Sequence, residues 1–273
     1  MPELPEVETV RKGLLNKIQG KKILSCKVLY PGIIAMPSVQ EFEKNLKNQE
    51  IKDIKRRGKF LLIELSDYVL VSHLRMEGKY FIKKENDELS KHDHVIFKLN
   101  DENELRYNDT RKFGKMYLVK ETELSLTPLN DLGKEPWDDT LNVSYLKEKF
   151  NKNIAIKTLL LDQSIITGIG NIYADEILFK CRINPVTLGK KLKKKDLENI
   201  IESCRSILND AIEMGGTTIH TYTSVDGITG RFQQKLLVHG KETCSVCHNK
   251  IIKIKVNGRG TYYCPNCLKE KRN

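Results

Sequence analysis

The chain has 273 residues, of which 39% are hydrophobic and 7% aromatic, a composition that excludes a disordered protein and a length that accommodates two domains with cores of their own. No run approaches the roughly 20 apolar residues of a membrane span, and the amino terminus does not resemble a signal peptide, so we expect a cytoplasmic protein without membrane association. The formal net charge of +11 favours a polyanionic partner; ten basic and two acidic side chains fall within residues 231–273.

The amino terminus places a proline and a glutamate directly after the initiator methionine. Removal of Met1 would leave Pro2 with a free secondary amine, and an α-amino group with a pKa near 8 is partly unprotonated and nucleophilic at neutral pH. Apolar residues at helical spacing predict a helix with Pro5 at its first position, and the positive end of that helix would lower the pKa of the amine further. Glu3 could then hold or deliver a proton. An ordinary capped helix start is the alternative.

From about residue 23 to residue 119 the chain predicts mainly short β-strands separated by turn-like polar clusters. This pattern is typical of a β-sandwich or barrel, on which the amino-terminal helix and a second helix near residues 40–48 would pack. A polar stretch with Pro and Gly at 127–139 predicts a linker. The predicted strands are the runs ILSCKVLY, KFLLIEL, YVLVSHL, KYFIKK, HVIFKL, ELRYND and KMYLV.

Beyond the linker the hydrophobic period becomes helical. Helices are predicted near residues 144–150, 154–165, 170–180 and 193–214, and the last of these is closed by Gly215 and Gly216. The basic run KKLKKK at 190–195 is interpreted as a solvated approach to that helix.

The seven cysteines divide into two groups. Cys26, Cys181 and Cys204 lie in apolar or helical surroundings and are interpreted as buried free thiols. The other four have the two-residue spacings typical of a tetrathiolate zinc site, with two disulfides or four unpaired thiols as the alternative. The zinc-site residues are Cys244, Cys247, Cys264 and Cys267.

A β-hairpin is predicted between the two cysteine pairs. The runs IIKIKV and RGTYYC flank Asn257-Gly258, which is a type I′ turn signal. A metal ion would staple a hairpin too small to bury a core of its own. Arg259 would project from the hairpin tip, where it is well placed to contact a phosphate.

Seven motifs in this order resemble the formamidopyrimidine-DNA glycosylase family, whose members remove oxidised purines such as 8-oxoguanine: PELPEVETV, RRGK, HLRMEGK, KHDH, DTRKFG, GIGNIYADE and the four-cysteine finger. The resemblance covers essentially the whole chain. It implies an α+β multidomain fold, with an amino-terminal β-sandwich domain flanked by helices and a carboxy-terminal helical domain that carries a helix–two-turns–helix motif and a zinc β-hairpin finger. The implied parts are a catalytic domain (1–130), a helical DNA-binding domain (131–220), a lesion-recognition loop (221–236) and the finger (237–273).

The resemblance also implies the chemistry of the site. Pro2 would attack the anomeric carbon of the damaged nucleotide and form a Schiff base, and Glu3 would protonate the sugar ring oxygen. The iminium acidifies the neighbouring sugar hydrogens, so both phosphates are eliminated from the same intermediate. Lys59 and Arg259 would contact phosphates and assist elimination, and Glu6 would support the amine and Glu3. One zinc ion per chain would be purely structural, because four thiolates leave no open position for water.

A second group of residues is implied to handle the DNA. Extrusion of a base leaves a hole in the stack, and Met76, Arg111 and Phe113 resemble the family's inserted residues, although Met76 and Phe113 in isolation would be taken for strand core. The polar loop at 217–234 would close over the purine, which favours an oxidised-purine enzyme over endonuclease VIII. The remaining implied DNA contacts are His73, His92, Lys157 and Asn171.

Two other functions stay open from the residues alone. A non-enzymatic binder would dock on DNA through phosphates and the finger, but it gives no reason for Pro2-Glu3. A glycosylase closer to endonuclease VIII, or an abasic-site lyase, would differ only in substrate. In each case the expected partner is double-stranded DNA, damaged in the enzymatic cases, and the expected state is a monomer.

Overall fold

The structure is a computed structural model of the chain, and it describes residues 1–217 and 230–268. The chain forms two compact units. The first comprises Met1–Asn130 and Gly215–Arg231, and the second comprises Asp131–Met214 and Phe232–Asn273. Among the described residues, no helix has both the length and the apolar character needed to cross a lipid bilayer.

The described residues of the first unit form two β-sheets and two α-helices. Helix α1 (Leu4–Ile18) precedes β1 (Ile23–Val28) and β2 (Ile34–Met36), and α2 (Val39–Leu46) precedes the remaining strands. One sheet has the order β1-β7-β8-β6 and the other β2-β9-β5-β4-β3. The remaining strands are β3 (Ile51–Arg57), β4 (Phe60–Leu65), β5 (Val69–His73), β6 (Lys79–Lys84), β7 (Asp93–Leu99), β8 (Asn103–Asn108) and β9 (Lys115–Val119).

A single apolar cluster joins the two sheets and both helices of this unit. Val7, Val10, Leu14 and Ile18 recur along α1 and pack against buried residues of the strands and of α2. The helical spacing of these four residues explains why α1 forms against the sheets, because burial of one apolar face stabilises a helix more than intrinsic propensity does. The predicted sandwich with flanking helices is confirmed.

The second unit is helical and ends in a hairpin. It contains α3 (Val143–Phe150), α4 (Ile156–Leu161), α5 (Asn171–Lys180) and α6 (Lys194–Glu213), followed by β10 (Ile252–Val256) and β11 (Arg259–Tyr263). Asn257 and Gly258 at the turn both have positive φ, 46° and 74°, as the predicted type I′ turn requires.

Several sequence predictions differ from the structure. Helix α1 begins at Leu4 with Glu3 as its N-cap, so Pro5 is the second helical residue rather than the first. Strands β2 and β3 were not predicted, and helix α4 ends at Leu161 rather than at residue 165. Helix α4 stops because the Asp162 side chain accepts hydrogen bonds from the backbone and hydroxyl of Ser164, at 2.9 and 2.6 Å, in a local turn that competes with helix. The apolar residues Ile165 and Ile166 therefore belong to a buried loop.

The three remaining cysteines are free thiols. Cys204 is buried as predicted, whereas Cys26 and Cys181 are half-buried, so the prediction of burial is wrong for those two. Burial raises the pKa of Cys181 to about 11, and burial also raises the pKa values of the other two thiols. They are therefore protonated and unreactive at neutral pH.

Candidate active site and nucleic-acid interface

The amino-terminal residues are packed into the first unit. Pro2 is buried and Glu3 is 2% exposed, whereas Met1 is 48% exposed. Glu3 is the N-cap of α1, and it forms a capping box with Glu6 in which the Glu3 N–H donates to Glu6 Oε2 at 2.8 Å. A carboxylate and the positive end of a helix therefore adjoin residue 2, the surroundings that tune an amine for nucleophilic attack.

Glu6 is a buried acceptor shared by the helix start and a distant segment. Its Oε1 accepts from the Thr217 N–H at 2.7 Å and from the Thr217 hydroxyl at 3.1 Å. Gly216 has a φ of +79°, and a Cβ there would lie 2.6 Å from Glu6 Oε1. Only glycine fits this position without displacing the carboxylate. Neither Gly216 nor Thr217 was predicted to be a partner of Glu6.

Lys59 lies in the turn before β4, and His73 lies on the neighbouring strand β5. Lys59, only 6% exposed, precedes β4, and its neighbour Phe60 pairs with His73 across the sheet. His73 Nδ1 accepts from the Arg75 N–H at 2.9 Å. Burial, with the positive charges of Arg75 and Lys59, lowers the pKa of His73 to about 3. His73 is therefore neutral at physiological pH, and because its Nδ1 is an acceptor, its Nε2 carries the proton.

The three residues predicted to enter the DNA stack are on the surface of the first unit. Met76 is 36% and Phe113 is 49% exposed, so neither is a core residue. The Arg111 guanidinium carbon lies 4.8 Å from the centroid of the Phe113 ring, within cation–π range. His92 is half-buried, and its carbonyl accepts from the Asp109 N–H at 3.0 Å, beside the loop that carries Arg111.

In the second unit, the environment of Lys157 differs from the predicted contact with DNA. It is fully buried, and its ammonium donates to the Asp175 carboxylate and to the Asn171 carbonyl at 3.0 Å. A lysine with no exposed surface does not reach a DNA phosphate, so the predicted direct contact is wrong in this structure. Asn171 itself begins α5, and its Nδ2 donates to the Gly260 carbonyl at 2.8 Å, which joins the helix start to the residue after Arg259.

Two adjacent acids on α5 hold the finger and the segment before it. Asp175 Oδ2 accepts from His239 Nδ1 at 2.7 Å and from the Tyr262 N–H at 3.1 Å. Glu176 accepts from the backbone N–H groups of residues 237–239 at 2.8 to 3.0 Å, and burial raises its pKa. No role was predicted for Asp175 or Glu176, although two consecutive acids in an apolar helix signal buried polar contacts.

The four finger cysteines have the geometry of a metal site. Their sulfur atoms all lie within 4.8 Å of one another, with Cys244–Cys267 at 3.8 Å and Cys247–Cys264 at 3.4 Å. Tetrahedral zinc with Zn–S bonds of about 2.3 Å needs sulfur separations of about 3.8 Å. These thiolates fit one structural zinc ion. Arg259 follows the turn at the hairpin tip and is exposed.

Models of three protein families match nearly the whole chain. The formamidopyrimidine-DNA glycosylase N-terminal domain matches residues 1–116, and the formamidopyrimidine-DNA glycosylase H2TH domain matches residues 132–223. A zinc finger found in FPG and IleRS matches residues 241–269.

Similar proteins and solved structures agree with these matches. The formamidopyrimidine-DNA glycosylase of a Bacillus cereus strain is 47% identical over 98% of this chain and 99% of its own length. That of Oceanobacillus iheyensis is 46% identical over 100% and 99%. A Lactococcus lactis FPG mutant in complex with Fapy-dG-containing DNA superposes with a TM-score of 0.93 at 39% identity, and the Lactococcus lactis Fpg bound to abasic-site DNA with 0.92; each covers 98% of this chain and 100% of the solved chain. On these grounds the chain belongs to the formamidopyrimidine-DNA glycosylase family.

Proposed function

We propose that the protein is a bifunctional DNA glycosylase and abasic-site lyase that excises oxidised purines, including 8-oxoguanine and formamidopyrimidines, from duplex DNA in base excision repair. The observation that carries the proposal is the arrangement of Pro2, Glu3 and Glu6 at the positive end of α1, in a chain of this family. The protein acts as a cytoplasmic monomer on damaged double-stranded DNA.

The reaction begins once Met1 has been removed. The Pro2 nitrogen attacks C1′ of the damaged nucleotide, and the N-glycosidic bond breaks. The base leaves with the bonding electrons and takes up a proton, while the Pro2 nitrogen releases the proton that it carried. Glu3 donates a proton to the ring oxygen, the ring opens, and a Schiff base forms between Pro2 and C1′. The iminium withdraws electrons from C2′, so loss of a C2′ proton expels the 3′ phosphate, and a second elimination expels the 5′ phosphate.

The other proposed residues stabilise charge or hold DNA. Glu6 fixes Glu3 through the capping box. Lys59 and Arg259 supply positive charge to phosphates during elimination. The sugar–phosphate backbone of the DNA is contacted by His73, which is neutral, by His92, and by the amino-terminal end of α5 at Asn171. Met76, Arg111 and Phe113 occupy the vacated stack. The four finger cysteines would bind a structural zinc ion, and that ion would stabilise the hairpin that presents Arg259.

Borohydride trapping tests the proposal. Purified protein lacking Met1 is incubated with a labelled duplex that carries 8-oxoguanine opposite cytosine, and the covalent adduct is mapped by peptide mass. We expect a covalent adduct on Pro2. A Pro2→Gly variant that keeps an additional residue before position 2 has no free amine there and should give no adduct. Glu3→Gln should slow base release by about 10²- to 10⁴-fold, roughly the contribution of a general acid.

Glu8→Gln is the matched control. Glu8 lies on the same helix and bonds to Arg11 and Arg56, away from the capping box, so the rate of trapping should stay near that of the unmodified protein. Folded protein that binds the duplex without an adduct or a nick would favour the non-enzymatic binder. A panel with thymine glycol and an abasic site separates the substrate classes, and faster excision of thymine glycol than of 8-oxoguanine would contradict the purine assignment.

A further inference from the structure

Two loops of the first unit carry the residues proposed to enter the DNA stack. The loop after β5 carries Met76, and the loop between β8 and β9 carries Arg111 and Phe113. A side chain with an exposed apolar group and no supporting contacts samples many conformers, which costs free energy when it is fixed in a complex. The contacts that fix the conformation of the two loops therefore affect how readily Met76, Arg111 and Phe113 enter the DNA.

Tyr107 lies between the two loops. It is fully buried, and its ring packs on Tyr80 with centroids 5.2 Å apart. A Cβ added at Gly78 or at Gly114 would overlap the Tyr107 hydroxyl oxygen. Both loops therefore pack directly on one hydroxyl group, and glycine is needed in each because no larger residue fits.

Asp109 fixes the backbone of the second loop. It is fully buried; its Oδ1 accepts from the Arg111 N–H at 2.9 Å, and its Oδ2 accepts from the N–H groups of Phe113 and Gly114 at 2.9 and 2.8 Å. A carboxylate is the only side chain of this size with two acceptor-only oxygens. Three backbone donors on both oxygens thus specify aspartate, and the resulting turn leaves Arg111 and Phe113 exposed.

A hydrogen bond between side chains joins the two loops, and further bonds fix each loop in place. The Tyr107 hydroxyl donates to Asp109 Oδ2 at 3.4 Å, and the Thr110 hydroxyl donates to the Glu77 carboxylate across the two loops. The first loop is closed by the Gly78 N–H, which donates to the Leu74 carbonyl at 2.9 Å. Displacement of either loop therefore disturbs contacts of the other.

We propose that Asp109 and Tyr107 are positioning residues that hold Met76, Arg111 and Phe113 as one preformed wedge for opening the base stack. The proposal rests on the function proposed above and assigns neither residue to the bond-breaking steps. A preformed wedge enters the duplex without first ordering its side chains, so its loss slows extrusion of a stacked base. An abasic site in single-stranded DNA has no stack to open, so its cleavage needs the wedge far less.

The test compares two substrates. Single-turnover excision is measured on an 8-oxoguanine·cytosine duplex, and strand cleavage is measured on a single-stranded oligonucleotide with one abasic site. For Asp109→Asn we expect the duplex rate, relative to the single-strand rate, to fall by about 10- to 100-fold, the range for a misplacement near 1 Å. Asparagine has the same shape as aspartate, but its NH₂ group would replace one of the two acceptor oxygens. A hydrogen-bond donor would then face backbone N–H groups that are also donors. Tyr107→Phe keeps the ring and should lower the ratio about threefold to tenfold, the loss of one hydrogen bond.

Tyr80→Phe is the matched control for a merely structural effect. Its hydroxyl donates to Ser72 Oγ at 2.7 Å in the same buried region, but no contact of that hydroxyl reaches either loop among the described residues. We expect a similar loss of thermal stability and an unchanged ratio. The proposal would be overturned if the ratio of duplex rate to single-strand rate fell as much in Tyr80→Phe as in Asp109→Asn. It would also be overturned if that ratio stayed constant in both Asp109→Asn and Tyr107→Phe.

The outcomes also separate this proposal from the proposed function. Unmodified protein that cleaves neither substrate contradicts the function itself, whereas active protein with insensitive wedge variants contradicts only the positioning role. Should Asp109→Asn fail to fold by circular dichroism, the ratio for Tyr107→Phe decides the question.

Discussion

At the scale of single residues, the site is shaped by buried groups that accept or donate several hydrogen bonds at once. Glu6 accepts from Glu3 and Thr217, and Asp109 accepts from three backbone N–H groups. His73 is also buried, and in its case burial and the positive charges of Arg75 and Lys59 keep the ring neutral. Burial thus fixes the geometry of the two carboxylates and sets the protonation state of His73.

His73 makes stability depend on pH. Its pKa is about 3 in the folded protein and near 6.5 when unfolded, so below pH 6.5 the unfolded chain binds a proton that the folded chain does not. The free energy of unfolding should therefore fall as pH is lowered from about 6.5 towards 3, by up to about 1.4 kcal/mol per pH unit from this group. Urea denaturation at several pH values should show this fall in the unmodified protein and a shallower one in His73→Gln. Parallel curves would contradict the assignment.

At the scale of elements, the predictable parts of the fold are those with a local signal. Helix α6 and the hairpin were predicted within a residue or two, because an apolar face and an Asn-Gly turn are encoded in neighbouring residues. Strand β3 was missed because it lies at a sheet edge, its burial does not alternate, and its register shifts between Ile51 and Asp53. Strand β2 has three residues and pairs in parallel with β9, a long-range contact without a local pattern.

The same division applies to the site. The motifs identified the residues proposed to touch DNA, since those residues need particular chemistry at particular positions. They did not identify Gly216, Thr217, Asp109 or the Asp175–Glu176 pair as supports. Glu6 and Thr217 are separated by 211 positions, so their contact follows from tertiary packing alone. The loop predicted to close over the purine includes residues 218–229, which lie outside the described part of the chain.

A glycine substitution tests the link between α1 and the segment at Gly216. Gly216→Ala adds a Cβ 2.6 Å from Glu6 Oε1 at a positive φ, so strain and displacement of the carboxylate should together cost about 2–4 kcal/mol. Gly20→Ala is the control, because Gly20 has a φ of +78° with no atom within 4 Å of the added Cβ, and it should cost about 1–2 kcal/mol. Urea denaturation of both variants and of the unmodified protein gives the two losses in the free energy of unfolding.

The two glycine variants should also differ in chemistry. Displacement of Glu6 disturbs Glu3, so Gly216→Ala should slow borohydride trapping at least tenfold, while Gly20→Ala should trap at the rate of the unmodified protein. Equal trapping rates in the two variants would show that Glu6 does not support the reacting amine through this contact.

At the scale of the whole molecule, the positive charges proposed to bind DNA and the carboxylates proposed for the chemistry belong to different parts of the chain. The segment of residues 231–273 has a surplus of eight positive charges, from ten basic and two acidic side chains, and within it Lys253, Lys255 and Arg259 of the hairpin are exposed. The catalytic carboxylates proposed at Glu3 and Glu6 are instead buried in the first unit. Binding of the polyanion and chemistry on the sugar are thus assigned to different groups, so they can be perturbed separately.

Salt dependence of binding tests the role of Arg259 independently of chemistry. Removal of one ionic interaction with a phosphate should reduce the slope of log K against log salt by about 0.9. We expect Arg259→Gln to show that reduction in binding to a duplex with an uncleavable abasic analogue, measured by fluorescence anisotropy from about 50 to 300 mM salt. Lys44→Gln, at an exposed position on α2, changes the net charge equally and should keep the original slope. Identical slopes for the two variants would mean that Arg259 contributes only general charge, whereas a difference of about 0.9 would place one phosphate at the hairpin tip.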